Sequence, residues 1–299
     1  MNGKLKLERK LKLACEISAE RVIAARASDR ADSIESCSVR TLPQGIITPD
    51  LTAGNVVSRE ALLEAVSDVL AAVADRSREL ILIIPDVACR IALLDFDALP
   101  DKPAEADAVV RFRLKKSLPF DVDRAQVSYQ ASSSNGMVHT VAVVALQSVI
   151  SEYESILREA AFVPGVVVPS TIAALGLVDS SRPTLLLKVA TDSVSLAIAN
   201  DNSLLLFRTL ENVMGSSTAA ERLADDLYPS LVFFQDNYGM KVERILISGA
   251  PAGSDIATAV EATTGIRPEE LLGTRSLDLG SVATSQLPFA SGIAGALIG

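Results

Sequence analysis

The chain reads as an α/β protein of two duplicated lobes, each a three-stranded meander followed by a helix and another strand, with a small α+β subdomain inserted in the first lobe. Three observations predict this. The element order strand, strand, strand, helix, strand occurs twice. A block of different order interrupts the first copy. The composition, 49% hydrophobic with no tryptophan, is the aliphatic mixture that layered α/β packing requires.

In order, "LKLACEI", "RVIAARAS" and "SIESCSVRTL" are short strands separated by polar turns. "SREALLEAVSDVLAAVADRSRE" places Leu62, Leu63, Val66, Val69, Leu70 and Val73 at helical spacing behind Ser58 as N-cap. "LILIIPD" is a continuous apolar run ended by Pro85, as in a strand covered on both faces. The interrupting block reads strand, loop, helix, strand, strand, helix, with "SSSNGM" as its hairpin turn. The first pattern then repeats in "TLLLKVA", "SVSLAIAN", "SLLLFRTL", the helix "STAAERLADDLYPSLVFFQDNYG" and the strand "VERILISGA". Thr218 and Glu221 form a capping-box pattern at that helix start, and Pro229 predicts a kink or restart within it. Superposing the halves puts Glu16 on Lys188, Ser18 on Ala190, Glu20 on Asp192 and Val22 on Val194. The expected division is a first lobe of residues 1–84 and 164–180, an insert of 85–163, and a second lobe of 181–287. Residues 288–299, apolar but too short to span a bilayer, form a helix of small residues packing back on the first lobe.

Charge and composition exclude several functions. A net charge of −9 leaves no basic stripe for nucleic acid. Cys15, Cys37 and Cys89 are too few and too scattered for a disulfide framework or a metal cluster, and they fit a reducing cytosol. The charged N-terminus "MNGKLKLERKLKLACE" has no apolar core of a signal peptide, and no window carries eighteen consecutive apolar residues. A soluble, unexported chain is expected. His139 is the sole histidine and no nucleophile motif surrounds it, so it reads as a hydrogen-bonded strand residue rather than part of a triad.

The segment "ALPDKPAEADAVVRFRLKKSLPFDVDRAQVSYQ" resembles the signature region of PilM, the actin-like protein of type IV pilus assembly, with Pro119, Phe120 and Tyr129 standing where that family has its Pro-Phe turn and strand-ending tyrosine. "TLPQGIITPDLTAGNVVSREALLEAV" is similar to the family's early loop, and "FQDNYGMKVERILISGAPAG" to its stretch leading into the adenosine loop. The likeness covers nearly the whole chain, and FtsA, the cell-division relative, is a weaker match. It implies an actin-like (ribonuclease H-like) fold with a nucleotide cleft between the lobes, where carboxylates hold magnesium and glycines let backbone N–H groups approach phosphates.

Carried onto this sequence, the resemblance assigns the cofactor-binding positions, for ATP and Mg, to Glu16, Ser18, Lys188, Ala190, Thr191, Asp192, Gly215, Gly249 and Ala250, with Glu16 and Asp192 as the metal-facing acids. Several are altered. Ser18 and Ala190 stand for glycines, Lys188 for an acid, Ala250 for a glycine, and Pro251 lacks an N–H. The favoured reading is therefore a scaffold with a degenerate nucleotide site and no resident cofactor. Its implied partner is the N-terminal cytoplasmic peptide of a PilN-like inner-membrane protein, which would place it peripherally on that membrane in pilus or type II secretion assembly, with self-association a further expectation. Phe112, Arg113, Leu114 and Phe120 are the expected partner contacts; the plainer reading makes Phe112 and Leu114 core residues and Arg111, Arg113, Lys115 and Lys116 a solvated helix face. The alternative is an active ATPase using Glu16, Asp192 and Glu211 for magnesium and water. Glu16 and Lys188 are expected to form an ion pair closing the cleft; a lysine reaching solvent from the cleft edge is the competing outcome.

Overall fold

In the computed structural model, described over residues 11–134, 136–191, 193–211, 219–250, 253–273 and 284–299, the first meander is β1 (Leu13–Ile17), β2 (Arg21–Ala27) and β3 (Ile34–Thr41). Helix α1 (Arg59–Val73) returns the chain to β4 (Glu79–Ile84), which runs parallel to β1. With β8 (Val163–Pro169) parallel to β4, the first sheet has the order β3-β2-β1-β4-β8. The apolar run of β4 is buried on both faces because its alternate residues enter different cores. Leu80, Leu82 and Ile84 pack under α1 and α3 (Gln147–Glu159), whereas Ile81 and Ile83 pack under α4 (Ser170–Ala174) and α7 (Ser291–Ile298). Ser58 stands at the N-cap of α1 in extended conformation, but its side chain makes no cap hydrogen bond; its carbonyl accepts from Leu62 N at 3.1 Å.

The second sheet repeats the first. Strands β9 (Thr184–Val189), β10 (Ser193–Asn200), β11 (Ser203–Glu211), β12 (Arg244–Ser248) and β13 (Glu269–Glu270) take the order β11-β10-β9-β12-β13, again with the meander antiparallel and β12 parallel to β9. It packs under α5 (Ala219–Tyr238) and α6 (Asp255–Thr264). Pro229 does not restart α5, which runs through it as one helix and forgoes the hydrogen bond an N–H at 229 would have given to the carbonyl of Asp225 on the exposed side. Thr218 lies outside the described residues, so the capping box does too.

The insert is a three-stranded antiparallel sheet, β5 (Arg90–Phe96), β7 (Met137–Leu146) and β6 (Ala125–Ser134) in the order β5-β7-β6, covered by α2 (Pro103–Leu114) through Val110 and Leu114. Gly136, at φ +78°, supports the tight turn between β6 and β7. The following helix α3 buries Val149, Tyr153, Ile156 and Leu157 in the core beneath the first sheet, so by packing it joins that lobe, although it lies inside the 85–163 segment. The C-terminal helix α7 crosses back onto α4 and the first sheet, with Ile293, Ala294 and Leu297 fully buried. Gly295 permits this approach, since a Cβ there would lie 2.0 Å from the carbonyl oxygen of Ala173.

Candidate functional site

In an open parallel sheet, ligands meet the carboxyl ends of the strands, and the carboxyl ends of β1 and β9 face each other here. Glu16 and Lys188 occupy equivalent positions near those ends. The Lys188 ammonium lies 3.3 Å from Glu16 Oε1 and also donates to Ser291 Oγ at 3.3 Å. The expected approach of the two residues is therefore present, and the solvent-reaching lysine is not: the side chains are 11% and 7% exposed. Glu16 Oε1 also accepts from the Ser170 hydroxyl at the start of α4. Ser291 shares a hydrogen bond with Ser248 at 2.5 Å, and Ser248 donates to the carbonyl of Pro288 at 3.1 Å. One polar chain thus joins β1, α4, β9, β12 and α7. Glu16 Oε2 is buried without a partner among the described residues, against Gly292, whose absent side chain leaves the room; a Cβ there would stand 2.6 Å from that oxygen. The adjacent Cys15 thiol is pushed far above its ordinary range, first by burial and then by the Glu16 charge.

The two hairpin turns beyond these residues are alike. Ser18 N donates to Arg21 O at 3.0 Å and Ala190 N to Ser193 O at 2.9 Å, the same closure at equivalent positions. The turns also touch: the Thr191 hydroxyl hydrogen-bonds Glu20, whose carboxyl is pushed up by burial but carried below the ordinary range by Thr191 and by Arg21 at 2.7 Å. Arg21 in turn stacks on the Phe289 ring at 3.5 Å. Gly249 is needed where it stands, at φ +83° with its Cα against the carbonyl of Val189; a Cβ would fall 1.9 Å from that oxygen. Beside it, Ser248, Ala250, Leu271, Gly273 and Pro288 line a cavity of about 60 Å³, against the roughly 300–1,000 Å³ of small-molecule pockets. Asp192, Gly215 and Pro251 lie outside the described residues, as does the side chain of Glu211.

A magnesium ion does not fit at Glu16 in this arrangement. The carboxylate already has an ammonium beside it, which would repel a dication, and no cluster of three metal-ligating side chains exists among the described residues.

Sequence reasoning missed Ser170, Ser248 and Ser291, and it missed a second interlobe link. Asp86, just past β4, accepts from Thr171 N at 2.9 Å, from the Thr171 hydroxyl at 2.5 Å and from Ser195 of β10 at 2.8 Å. A signal did exist: a proline and then a polar residue stand at the carboxyl end of each strand, Pro85-Asp86 just after β4 and Pro169-Ser170 at the end of β8, where this topology builds sites.

On α2, Phe112 is 72% exposed and Arg113 is exposed, whereas Leu114 is wholly buried in the insert core, the plainer of its two readings. Phe120 is half-buried between the insert core and the first-lobe core. His139 pairs with Asp95 at 2.7 Å on the exposed face of β7, a strand residue with a hydrogen bond.

The sequence by itself matches neither a protein-family model nor a curated protein. The structure does find likenesses. A chain of the PilM-PilN type IV pilus biogenesis complex superposes with a TM-score of 0.82 at 17% identity, covering 97% of this chain and 98% of that one. The cytoplasmic domain of EpsL, an inner-membrane component of the type II secretion system of Vibrio cholerae, gives a TM-score of 0.53 at 10% identity over 94% of each chain. A protein of unknown function with an actin-like ATPase fold from Bacteroides thetaiotaomicron gives 0.52 at 9% identity, over 89% of this chain and 93% of that one. The paired five-stranded sheets, the inserted three-stranded sheet and these superpositions together establish that the chain has the actin-like ATPase fold.

Proposed function

We propose that the protein is an actin-like scaffold of a type IV pilus or type II secretion assembly platform, working in the cytoplasm and held at the inner membrane through a partner. That partner is the N-terminal cytoplasmic peptide of a PilN-like membrane protein, received by the insert and the first lobe, with Phe112, Arg113 and Phe120 among its contacts. The nucleotide site of the fold is degenerate and serves closure of the lobes. The class of machine is supported by the near-complete superposition on a chain of a PilM-PilN complex.

The observation that carries the scaffold reading over ATP hydrolysis is the Glu16–Lys188 pair, which puts a protein cation beside the acid that the resemblance assigns to magnesium. The test is a pair of titrations. A fluorescent peptide copying the N-terminus of the PilN-like protein should bind with micromolar affinity and weaken about tenfold or more on Phe112→Ala, while calorimetric titration with Mg-ATP should give no heat of binding. Micromolar Mg-ATP binding to the unaltered protein would overturn the degenerate site, and absence of peptide binding would overturn the partner assignment.

A further inference from the structure

A strand at the edge of a sheet offers a row of unpaired N–H and C=O groups, and proteins blunt such rows with charges, prolines, bulges or brevity. Every sheet edge described here but one is blunted in this way. β3 carries Glu35 and Arg40 and shifts register against β2. β8 carries Pro164 and Pro169, and β13 is two glutamates long. β11 carries Arg208, bulges at Leu205 and has that residue's carbonyl capped by the Tyr238 hydroxyl at 2.9 Å. β5 carries Arg90 and Asp95 and lies against β11. The exception is β6. Its 10 residues, "AQVSYQASSS", hold no charge and no proline, and they pair with β7 from Ala125 to Ser134 without a break in register. At 3.4 Å per residue this is a straight edge of about 34 Å. Among the described residues nothing besides β7 hydrogen-bonds the backbone of residues 126–134, and residues 130–134 are exposed throughout.

We infer that the open edge of β6 is a docking edge, which takes an extended segment of a partner protein as a further strand of the insert sheet. The side chains of β6 define that segment. Val127 and Tyr129 lie on the face covered by α2, so every second residue of the incoming strand comes beside apolar surface and is β-branched or aromatic. Ser128, Gln130 and Ser132 stand on the opposite, open face, which matches Ser, Thr, Asn or Gln at the residues between. β6 has no charge for a charged residue to meet, so the complement is an uncharged, alternating strand. A second copy of this chain brings a net charge of −9 against its like, whereas a different partner carries no such repulsion. The inference uses none of the residues assigned to the PilN-like peptide.

The probe is a short fluorescein-labelled peptide of alternating Thr and Val, flanked by lysines for solubility. It should bind the unaltered protein saturably and slow amide hydrogen exchange about tenfold or more at every second residue of 126–134, the spacing of one edge of a strand. The same peptide N-methylated throughout keeps its side chains and charge but has no N–H to give, and should not bind. Neighbouring N–H groups on a strand point to opposite edges, so Gln130→Pro and Ala131→Pro differ in outcome: one breaks a bond to β7 and lowers the melting temperature, while the other keeps the melting temperature and weakens the probe about tenfold or more. Equal binding of the two peptides overturns the inference, as does exchange that slows nowhere in 126–134, or full probe binding by the proline variant of unchanged melting temperature. A dimer of the unaltered protein that this variant dissociates would assign the edge to a second copy instead. Phe112→Ala should leave probe binding unchanged, so the failure of the peptide contact and the failure of this edge are read separately.

Discussion

Lys188 interrupts an apolar strand, and the cost of burying its charge is met by Glu16 and Ser291. Removing one partner leaves the other charged and dry. Lys188→Ala and Glu16→Gln are each expected to cost about 3–5 kcal/mol in urea unfolding, and replacing both by apolar residues should return most of it; single losses below about 0.5 kcal/mol would show that the pair is not a buried one. Glu20 makes a pH prediction. Its folded-state carboxyl titrates below its unfolded value, so its contribution is present above the ordinary glutamate range near 4.3 and is lost as pH falls through the lower folded value. Thr191→Val should therefore flatten the fall in melting temperature between pH about 4.5 and 3, relative to the parent. At this scale the sequence was legible where duplication made it so: Glu16 and Lys188 could be matched by superposing two strands. The serines could not, because Ser170, Ser248 and Ser291 come from three different elements and only the folded backbone brings them to one carboxylate.

The elements themselves were largely readable, since period-two and period-3.6 patterns survive in the meanders and in α1. Helix α5 was the exception in detail, for a proline within a long amphipathic helix does not by itself say whether tertiary packing will carry the helix through. Helix α7 shows how a weak pattern hides a central role. Its small and apolar residues carry no amphipathic stripe, yet it covers one face of the first sheet and presents Ser291 to Lys188. Leu297→Ala should cost about 2–5 kcal/mol. Gly292→Ala should disturb the site more than the fold, because its Cβ meets Glu16 and not the backbone of a neighbouring helix. Comparing the Lys188→Ala penalty in the Gly292→Ala background checks this: a coupling below about 0.5 kcal/mol would separate the glycine from the pair.

Across the whole molecule, the described polar links between the lobes include Glu16 with Lys188, Glu20 with Thr191, Asp86 with Ser195 and, through α7, Ser291 with Lys188 and Ser248. The parent should accordingly unfold in one calorimetric transition, and the combination Lys188→Ala with Ser195→Ala should separate it into two; a single transition in that variant would mean that these two links are not what couples the lobes. The architecture could be read from repeated element order, whereas the links could not, since each depends on how the two halves are set against each other. That setting has a consequence for the duplication itself. Where two copies of one unit meet about a near two-fold axis, a residue on the axis faces its own duplicate, and a charge there would face its like. At this position one half carries a glutamate and the other a lysine, so neither half could any longer pair with a second copy of itself at that point without repulsion. The charge that closes the cleft thereby makes the two halves obligate complements, and the single chain has given up the symmetry from which its architecture is built.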